Sequence, residues 1–295
     1  MRIAVVGAGG QLGAAVVQAC AVRHDVVAFD RAGLDVTDGP AVAATLARAR
    51  PDAIINCTGY NAVDAAEEHP IDALRINTFA VRSLARSARA LGAALVHYSS
   101  DFVFDGLTPS PRTETDPPNP RSVYATSKLL GEWLAVDVSR HYVLRVESLF
   151  GEVPGGPPPK GTVAAIVRAL VEGRSQKVFR DRTVSPTFVP DAARATCELL
   201  ERGAEPGLYH CVNSDHCTWL EFATEAARML GVEPAFEVVG VADVRLPAAR
   251  PQYCALSNLK LTSLGIAMPS WRDALGRYLS SRRVVPPSVP PPGTT

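Results

Sequence analysis

The stretch Arg2-Ile3-Ala4-Val5-Val6-Gly7-Ala8-Gly9-Gly10-Gln11-Leu12-Gly13 decides the fold of this chain. Its short apolar, β-branched run is typical of a buried parallel strand, and a helical pattern starts at Ala14. Between them, Gly7, Gly10 and Gly13 have the spacing that permits a tight turn, close approach of the backbone to a pyrophosphate and close packing of helix on strand. The helix N-terminus would then face the phosphates. We therefore predict a dinucleotide-binding unit rather than a plain glycine-rich turn.

Strand-like and helical patterns alternate through the first half of the chain. One helical pattern covers residues 72–91, and apolar runs lie at 25–29, 51–56, 95–100 and 142–146. This alternation predicts an α/β fold, a doubly wound, Rossmann-like parallel sheet covered by helices on both faces. Ligands of such sheets bind beyond the carboxyl ends of the strands, where Gly7, Cys57 and Ser100 fall. We therefore expect these three positions to line one crevice.

The second half lacks this regular alternation and predicts a smaller C-terminal substrate-binding domain. We assign residues 1–150 to a dinucleotide-binding domain, with 185–211 returning to it, and residues 151–184 and 212–283 to the substrate-binding domain. The Gly- and Pro-rich stretch 151–161 predicts a long irregular loop that either shapes a substrate pocket or projects into solvent. Residues 284–295 are Pro-rich, and we expect a disordered tail there.

The composition excludes several classes of function. The 295 residues include 30 basic and 30 acidic side chains, so no net charge attracts nucleic acid or an anionic membrane surface. No apolar run reaches the roughly 20 residues that a membrane-spanning helix needs, and the N-terminus lacks the layout of a signal peptide. We expect a soluble, cytoplasmic protein with no nucleic-acid partner and no membrane partner.

All six cysteines are predicted to be free, buried thiols. None belongs to a Cys-x-x-Cys pair, and their spacing does not suggest a zinc site. Most are flanked by apolar or small residues, which is common for buried structural thiols. We expect no metal site. The six are Cys20, Cys57, Cys197, Cys211, Cys217 and Cys254.

The residues after the second strand bear on the choice of dinucleotide. Asp30 lies about 20 positions beyond the glycines, where an acidic residue usually holds a ribose hydroxyl. Arg31 could instead meet a 2′-phosphate, so the sequence leaves NAD and NADP open. The loop that contains Asp35 and Val36 could edge the adenine, and it could cap the next helix. The alternative interpretation of this stretch is an ordinary solvated loop.

Tyr124 and Lys128 form the candidate acid–base pair. Their spacing of four places both side chains on one face of a helix, which residues 129–135 support. An ammonium group beside a phenol lowers the pKa of the phenol and makes it a better acid near neutral pH. Ser100, at the carboxyl end of a strand, could polarise a carbonyl group. Tyr-x-x-x-Lys alone is common on amphipathic helices, but these signals rarely occur together in this order by chance.

Together these motifs resemble the extended short-chain dehydrogenase/reductases, and among them the dTDP-4-dehydrorhamnose reductases. The resemblance covers nearly the whole chain, up to about Ser281. Its most specific part is Asp101-Phe102-Val103-Phe104-Asp105-Gly106, because many dehydrogenases share the Ser, Tyr and Lys. The other matching stretches are 7–13, 56–64, 99–100, 124–132, 185–187, 250–251 and 271–275.

The resemblance implies a reductase of a nucleotide-linked 4-keto sugar that uses NADPH or NADH as the hydride donor. It implies that Tyr124 donates a proton to the carbonyl oxygen and that Ser100 hydrogen-bonds it. Lys128 would lower the pKa of Tyr124 and hold the nicotinamide ribose. Near the sugar, the resemblance places Asn61, Val63, Asp101 and Phe102. Along the dinucleotide, the sequence places Gly7, Gly10, Gln11, Leu12, Gly13, Cys57, Thr58 and Gly59.

Three features depart from the usual pattern of these reductases. Ser148 stands where the family usually has a Trp that lines the sugar site. Ala15 stands where some members have a Glu linked to a metal-bridged dimer. The loop 151–161 is also unlike the usual pattern. The sequence therefore leaves open which sugar binds and how a homodimer would form.

Two other functions fit parts of the sequence. The methionine adenosyltransferase β subunit has a similar pattern and serves as a non-catalytic regulatory partner, although the intact Ser100, Tyr124 and Lys128 favour an enzyme. A nucleotide-sugar epimerase or dehydratase shares the fold and the cofactor. A dehydratase would need a second acid beside Ser100, commonly as Asp-Glu, and Asp101-Phe102 lacks the Glu.

Overall fold

The computed structural model describes residues 1–281, so the predicted tail at 284–295 lies outside the described residues. A π-helical turn at Arg75–Phe79 joins two helices, and a 3₁₀ turn at Asp101–Val103 follows the fourth strand. The first half contains, in chain order, β1 (Arg2–Val6), α1 (Gln11–Ala21), β2 (Asp25–Phe29), α2 (Gly39–Ala49), β3 (Ala53–Asn56), α3 (Val63–Glu68), α4 (Pro70–Leu74), α5 (Ala80–Leu91), β4 (Ala94–Ser100), α6 (Val123–Ala135) and β5 (His141–Val146).

The second half has shorter strands. A 3₁₀ turn at Val241–Asp243 follows its last strand. Its other elements are β6 (Leu149–Phe150), α7 (Thr162–Val171), β7 (Gln176–Phe179), β8 (Thr183–Val184), β9 (Thr187–Phe188), α8 (Val189–Glu201), β10 (Gly207–His210), β11 (Cys217–Thr218), α9 (Trp219–Leu230), β12 (Phe236–Val239), α10 (Leu259–Ser263) and α11 (Trp271–Ser281).

Six parallel strands form one sheet in the order β2-β1-β3-β4-β5-β10. The chain adds β2 on one side of β1, and it adds β3, β4, β5 and β10 on the other side. This arrangement confirms the predicted doubly wound parallel sheet. Because the strand order reverses beside β1, a ligand crevice is expected there, beyond the carboxyl ends of the strands.

Alternation along the strands gives the sheet two buried faces. Val5 and Ile55 belong to the core that α1 and α8 cover, whereas Ala4 and Ile54 belong to the core that α2 and α5 cover. All four side chains are fully buried. Successive residues of a strand point to opposite faces, so a strand covered on both sides must be apolar throughout. This explains the continuous apolar run with which the chain begins.

A third core lies outside the sheet and is built mainly from α7, α9 and α11 with the short strands around them. Its centre is aromatic. The rings of Phe222 and Trp271 have centroids 5.4 Å apart, and Phe150 lies 5.4 Å from Phe188. Within residues 1–281, no helix has the length and the hydropathy that crossing a membrane requires.

Two of the six cysteines contradict the prediction of free thiols. Cys20 on α1 and Cys197 on α8 form a disulfide with a Cα–Cα distance of 5.9 Å. The packing of α1 against α8 brings these residues together across 177 sequence positions, so no local spacing could indicate the pair. The other four are free, and all but the half-buried Cys57 are buried: Cys57, Cys211, Cys217 and Cys254.

Candidate active site

The glycine turn between β1 and α1 is tightly packed. Gly7 adopts a left-handed φ of 85°, and its N–H donates to the Phe29 carbonyl oxygen at 2.8 Å. A Cβ at Gly7 would lie 2.9 Å from the backbone of Cys57 and Thr58, and one at Gly13 would lie 2.1 Å from the Gly7 carbonyl oxygen. Both positions therefore require glycine. Because neither carries a side chain, a pyrophosphate could approach the backbone closely at the N-terminus of α1.

Gly13→Ala is expected to destabilise the protein and to weaken dinucleotide binding. The new methyl group would overlap the Gly7 carbonyl oxygen, and overpacking of this kind costs about 1–3 kcal/mol. Thermal unfolding and NADPH titration measure the two effects. Gly9→Ala is the matched control, because its methyl group would make only an ordinary contact at 3.4 Å with Asp30 Cβ. Unchanged stability and NADPH affinity in Gly13→Ala would contradict the requirement for glycine.

Gly10, Gln11 and Leu12 form the start of α1, which begins three residues before the predicted Ala14. Gly10 N donates to the Gly7 carbonyl oxygen at 3.0 Å. The Gln11 side chain donates to the loop 151–161, and Leu12 packs in the core. Because both side chains are engaged, the backbone amides of these two residues would be the groups that meet a dinucleotide.

The loop 151–161 lies against α1. Gln11 Nε2 donates to the Gly151 carbonyl oxygen at 2.6 Å, and Gln18 Nε2 donates to the Pro154 carbonyl oxygen at 2.6 Å. The sequence left open whether this loop shapes a pocket or projects into solvent. The two hydrogen bonds hold it along the side of α1, from the first residue of the helix to Gln18.

Asp30 and Arg31 are exposed at the carboxyl end of β2. Asp30 Oδ1 accepts a hydrogen bond from Gly33 N at 2.8 Å, which orients the carboxylate. Asp30 also lies next to the glycine turn, where its Cβ would meet a methyl group at Gly9. The Asp30 carboxylate thus lies beside the turn, and Arg31 follows it directly in the chain.

Asp35 and Val36 lie in the loop before α2. The carboxylate of Asp35 accepts hydrogen bonds from Thr37 N at 2.9 Å and Thr37 Oγ1 at 2.8 Å, and these bonds hold the pKa of Asp35 below its usual value. Val36 is buried in the core beneath the loop. The cap of α2 is Asp38, whose side chain accepts from Ala41 N at 2.9 Å.

Cys57, Thr58 and Gly59 continue from the carboxyl end of β3. Thr58 donates to Asn56 Oδ1 from its backbone N at 3.0 Å and from Oγ1 at 2.6 Å. These bonds order the segment after β3, which packs against Gly7. The sequence predicted that this segment and the glycine turn lie together. Burial raises the pKa of the Cys57 thiol, which is therefore neutral.

Asn77 joins the elements of the site, and the sequence analysis missed it. It lies in the π-helical turn that interrupts the stretch 72–91, which was predicted as one helix. Asn77 Oδ1 accepts from Tyr60 N at 2.8 Å, and its Nδ2 donates to Tyr60 O at 3.1 Å and to Ser127 Oγ at 2.9 Å. The loop after β3 is thereby tied to α6. π-helical turns often occur at functional sites.

The candidate sugar residues differ in exposure. Asn61 is exposed, Val63 is half-buried at the start of α3, and Phe102 is half-buried. The Phe102 ring packs edge-on against the ring of Tyr124, with centroids 5.5 Å apart. Phe102 therefore lies in direct contact with the candidate proton donor, and it could place an apolar wall beside a bound sugar.

Ser100 links Tyr124 to a buried carboxyl group. Ser100 Oγ donates to Asp101 Oδ1 at 2.9 Å and accepts from Phe102 N at 3.2 Å. The Ser100 hydroxyl also acts on the pKa of Tyr124, so the two side chains are neighbours. Tyr124, Ser100 and Asp101 thus lie together at the carboxyl end of β4.

Tyr124 and Lys128 both lie buried on α6, one turn apart. Lys128 Nζ donates to the Tyr98 carbonyl oxygen on β4 at 2.6 Å, and burial lowers the pKa of Lys128 to about 8. The prediction of a lowered Tyr124 pKa was wrong, because burial raises the pKa of Tyr124 to about 12. The Ser100 hydroxyl opposes this rise and the charge of Asp101 adds to it.

A buried carboxyl pair, Asp101 and Glu147, lies behind Ser100. Because Ser100 pairs with Val146 in the sheet register, the residues that follow the two strands are neighbours. Each is 3% exposed, and one oxygen of each carboxyl lies within 4.8 Å of the other and of Cys254 Sγ. Burial raises the pKa of Asp101 to about 6 and raises that of Glu147 well above its usual value. The sequence analysis missed Glu147, although an acid directly after a buried strand was a readable signal.

Arg182 supplies the positive charge that faces this pair. Its Nε donates to the Pro251 carbonyl oxygen at 3.3 Å, and its Nη2 lies 3.8 Å from Cys254 Sγ. Carboxylates and thiols are groups that bind cations. Since the guanidinium group already faces both carboxyls, we assign no metal to the cluster.

The chain is similar in sequence and in structure to known reductases. A solved dTDP-4-dehydrorhamnose reductase from Clostridium acetobutylicum has a TM-score of 0.89 and 30% identity, with 96% of this chain and 100% of that chain covered. The Bacillus anthracis enzyme, solved in complex with NADP, has a TM-score of 0.88 and 30% identity, with 95% and 99% covered. A Streptomyces griseus dTDP-4-dehydrorhamnose reductase is 35% identical over 284 residues, 93% of this chain and 91% of its own length.

The protein is thus an oxidoreductase built on a Rossmann-like sheet, of the class that reduces nucleotide sugars. The model of the RmlD substrate binding domain family matches residues 1–284. The chain belongs to this family. The resemblance stated from the sequence motifs is confirmed.

Proposed function

We propose that the protein reduces the carbonyl group of a nucleotide-linked 4-keto sugar, with NADPH or NADH as the hydride donor. The observation that carries the proposal is the group of neighbouring Tyr124 and Ser100 side chains, with Lys128 one helical turn away on α6. This group lies at the same edge of the sheet as the glycine turn. A proton donor, a hydrogen-bond donor and a dinucleotide site in one crevice are what carbonyl reduction needs.

The glycine turn fits a nicotinamide dinucleotide. Gly7 and Gly13 leave no room for a side chain, so the backbone and the N-terminus of α1 could contact the pyrophosphate directly. Asp30 or Arg31 would meet the adenine ribose, and Lys128 would hold the nicotinamide ribose. The Bacillus anthracis relative was solved with NADP, which supports this choice of cofactor. When bound, the dinucleotide supplies the hydride.

Tyr124 and Ser100 would act on the carbonyl oxygen. As the carbonyl is reduced, negative charge grows on this oxygen, and donors aimed at it stabilise the transition state more than the ground state. Tyr124 would transfer its proton to the oxygen while Ser100 donates a hydrogen bond. Because burial raises the pKa of Tyr124 to about 12, the proton is in place at neutral pH.

Asn61, Val63, Asp101 and Phe102 are proposed to contact the sugar. The segments 151–184 and 212–283 would provide the rest of the substrate-binding domain. The sugar nucleotide in the name of the Streptomyces griseus relative, dTDP-4-dehydrorhamnose, is the first candidate substrate. Ser148, a small residue where related reductases usually have Trp, would leave space for a different sugar.

We also place the protein in the cytoplasm, because its proposed reactants are soluble metabolites. A homodimer would not be metal-bridged through the position of Ala15. This residue is buried in the core between α1 and α8 and has no group that binds a metal.

Purified protein should oxidise NADPH or NADH when it is given dTDP-4-dehydrorhamnose or another nucleotide-linked 4-keto sugar. A panel that varies the sugar and the nucleotide separately identifies the substrate, and the same sugars without a nucleotide are the control. Dinucleotide binding and capture of a partner enzyme without reduction of any panel member would replace this proposal with the regulatory-subunit function.

We expect the enzyme to use both dinucleotides. Asp30 should repel the 2′-phosphate of NADPH, whereas the neighbouring Arg31 should attract it. The kcat/KM values for NADPH and NADH should therefore differ by less than about a hundredfold, or ~2.7 kcal/mol. Asp30→Ala should shift the ratio toward NADPH and Arg31→Ala toward NADH. A larger preference in the parent protein would show that one of the two residues dominates.

A further inference from the structure

Two buried carboxyl oxygens behind Ser100 lack a hydrogen-bond partner among residues 1–281: Asp101 Oδ2 and Glu147 Oε1. The second oxygen of each carboxyl is engaged, because Asp101 Oδ1 accepts from Ser100 and Glu147 Oε2 accepts from Ser185 N at 2.5 Å. The thiol of Cys254, a weak donor, is the other polar group beside Asp101. Two ionised carboxylates are unfavourable at this separation in a buried site. One proton held by the pair would remove one of the two charges and so relieve the repulsion.

We propose that Glu147 holds this proton and passes it to Asp101 as the carbonyl is reduced, which frees the hydroxyl proton of Ser100 for the carbonyl oxygen. The proposal rests on the reductase function proposed above. Ser100 has one hydroxyl proton, and at 2.9 Å the carboxylate of Asp101 accepts it. A neutral carboxyl group is a weaker acceptor than a carboxylate. Glu147 would thus act as a positioning residue for Ser100 through Asp101.

The transfer is balanced within the pair. The O–H bond of the Glu147 carboxyl breaks and an O–H bond to Asp101 forms, so the carboxylate moves from Asp101 to Glu147. Ser100 keeps its proton and turns the hydrogen bond toward the oxygen that receives the proton of Tyr124. The negative charge thus moves from Asp101, the hydrogen-bond partner of Ser100, to Glu147, and it remains close to Arg182. After product release the proton returns to Glu147.

The groups around the pair favour one shared proton at neutral pH. Burial raises the pKa values of Cys217, Tyr253 and Cys254, so all three are neutral there. The Tyr124 phenol is neutral for the same reason. Arg182 is then the charged neighbour. Burial raises the pKa of Asp101 to about 6 and raises that of Glu147 well above its usual value, so Glu147 is the member of the pair that keeps a proton more readily.

Glu147→Gln tests the proposal, because glutamine keeps an oxygen for the hydrogen bond from Ser185 N but has no proton to transfer. At neutral pH, Asp101 would stay ionised and hold the Ser100 proton, and the loss of one donor to the oxyanion lowers kcat about a hundredfold. As pH falls through about 6, Asp101 becomes protonated from solvent and kcat of the variant should rise toward the parent value. The parent should show no such rise. NADPH affinity should not change.

Two further variants separate proton transfer from a packing role. Asp101→Asn/Glu147→Gln should recover most of the lost kcat at neutral pH, because a neutral amide at 101 does not hold the Ser100 proton. If Glu147→Gln fails to fold, the infrared measurement on the parent protein described below still tests the shared proton. The matched control is Glu114→Gln, since Glu114 also accepts a backbone hydrogen bond, from His210 N at 2.8 Å, but lies outside the pair. This control should keep the parent pH profile.

Infrared difference spectroscopy tests the shared proton without turnover, so its result is independent of the proposed reaction. At neutral pH the parent should show the C=O stretching band of a protonated carboxyl group, and Glu147→Gln should lack it. Absence of the band in the parent would overturn the proposal. So would its persistence in Glu147→Gln, or a Glu147→Gln variant with the kcat and the pH profile of the parent.

Discussion

Tyr124→Phe should lower kcat about a hundred- to ten-thousandfold, the range that a positioned general acid contributes. The substitution removes only the hydroxyl group. Phenylalanine keeps the edge-on contact with Phe102, and Ser100 and Lys128 remain, so the fold and the dinucleotide affinity should persist. Reduction of the keto sugar is measured under conditions in which the chemical step limits the rate, and NADPH titration gives the affinity.

Tyr142→Phe is the matched control for this experiment. Tyr142 is also a buried tyrosine, but its hydroxyl donates to the Ala204 carbonyl oxygen at 2.8 Å, away from the crevice. Its loss should cost about 1 kcal/mol of stability and leave kcat unchanged. A Tyr124→Phe variant that reduces the substrate as fast as the parent would show that Tyr124 is not the proton donor.

Arg145→Met should lower the free energy of unfolding by about 3–5 kcal/mol. Arg145 on β5 donates from Nε and Nη2 to the two carboxylate oxygens of Glu132 on α6, each at 2.8 Å. The residues are 2% and 5% exposed. Methionine would leave the Glu132 carboxylate buried without its charged partner. Denaturant unfolding of the parent and the variant measures the difference.

The buried pair also supports the site, since Glu132 lies on the helix that carries Tyr124 and Lys128. Arg145→Met/Glu132→Leu should recover much of the stability because it removes the uncompensated charge. Arg228→Met breaks an exposed ion pair with Glu225 and should leave stability nearly unchanged. A loss in Arg145→Met no larger than that in Arg228→Met would contradict a stabilising role for the buried pair.

The features predicted correctly from the sequence were those with local signals. The strand β1 and the glycine turn lie within twelve consecutive residues, and each has its own pattern of apolar residues or glycines, although α1 begins three residues before the predicted Ala14. Alternation of such units is sufficient to predict a doubly wound parallel sheet. The carboxyl ends of its strands then meet at one edge, which is why Gly7, Cys57 and Ser100 could be assigned to one crevice.

Features that depend on tertiary packing could not be predicted in this way. Cys20 and Cys197 form a disulfide only because α1 packs on α8. Asn77 reaches the loop after β3 from a π-helical turn that has no local sequence signal. The position of Glu147 directly after a buried strand was readable from the sequence, but its place beside Asp101 depends on the register of β4 and β5. In each case the contact joins residues whose sequence separation exceeds the range over which helical or strand periodicity is informative.

The pKa of Tyr124 shows the same difference between spacing and environment. A Lys four residues away predicted a lowered value, but the effect of a charge depends on where it is directed and on the burial of the phenol. Lys128 Nζ donates to the Tyr98 carbonyl oxygen, and burial raises the pKa of Tyr124 to about 12. The sequence was sufficient to find Tyr124 and Lys128, whereas the direction of their pKa shifts depends on burial and contacts that only the structure shows.

The central claim is that hydride passes from a nicotinamide dinucleotide to the carbonyl carbon of a nucleotide-linked sugar. The most direct test uses NADPH deuterated at the reactive nicotinamide carbon, with dTDP-4-dehydrorhamnose or the best substrate of the panel. Mass spectrometry and NMR of the product should show one deuterium on the former carbonyl carbon. Oxidation of NADPH without deuterium at that carbon, or dinucleotide binding with no reduced sugar from any member of the panel, would contradict the claim.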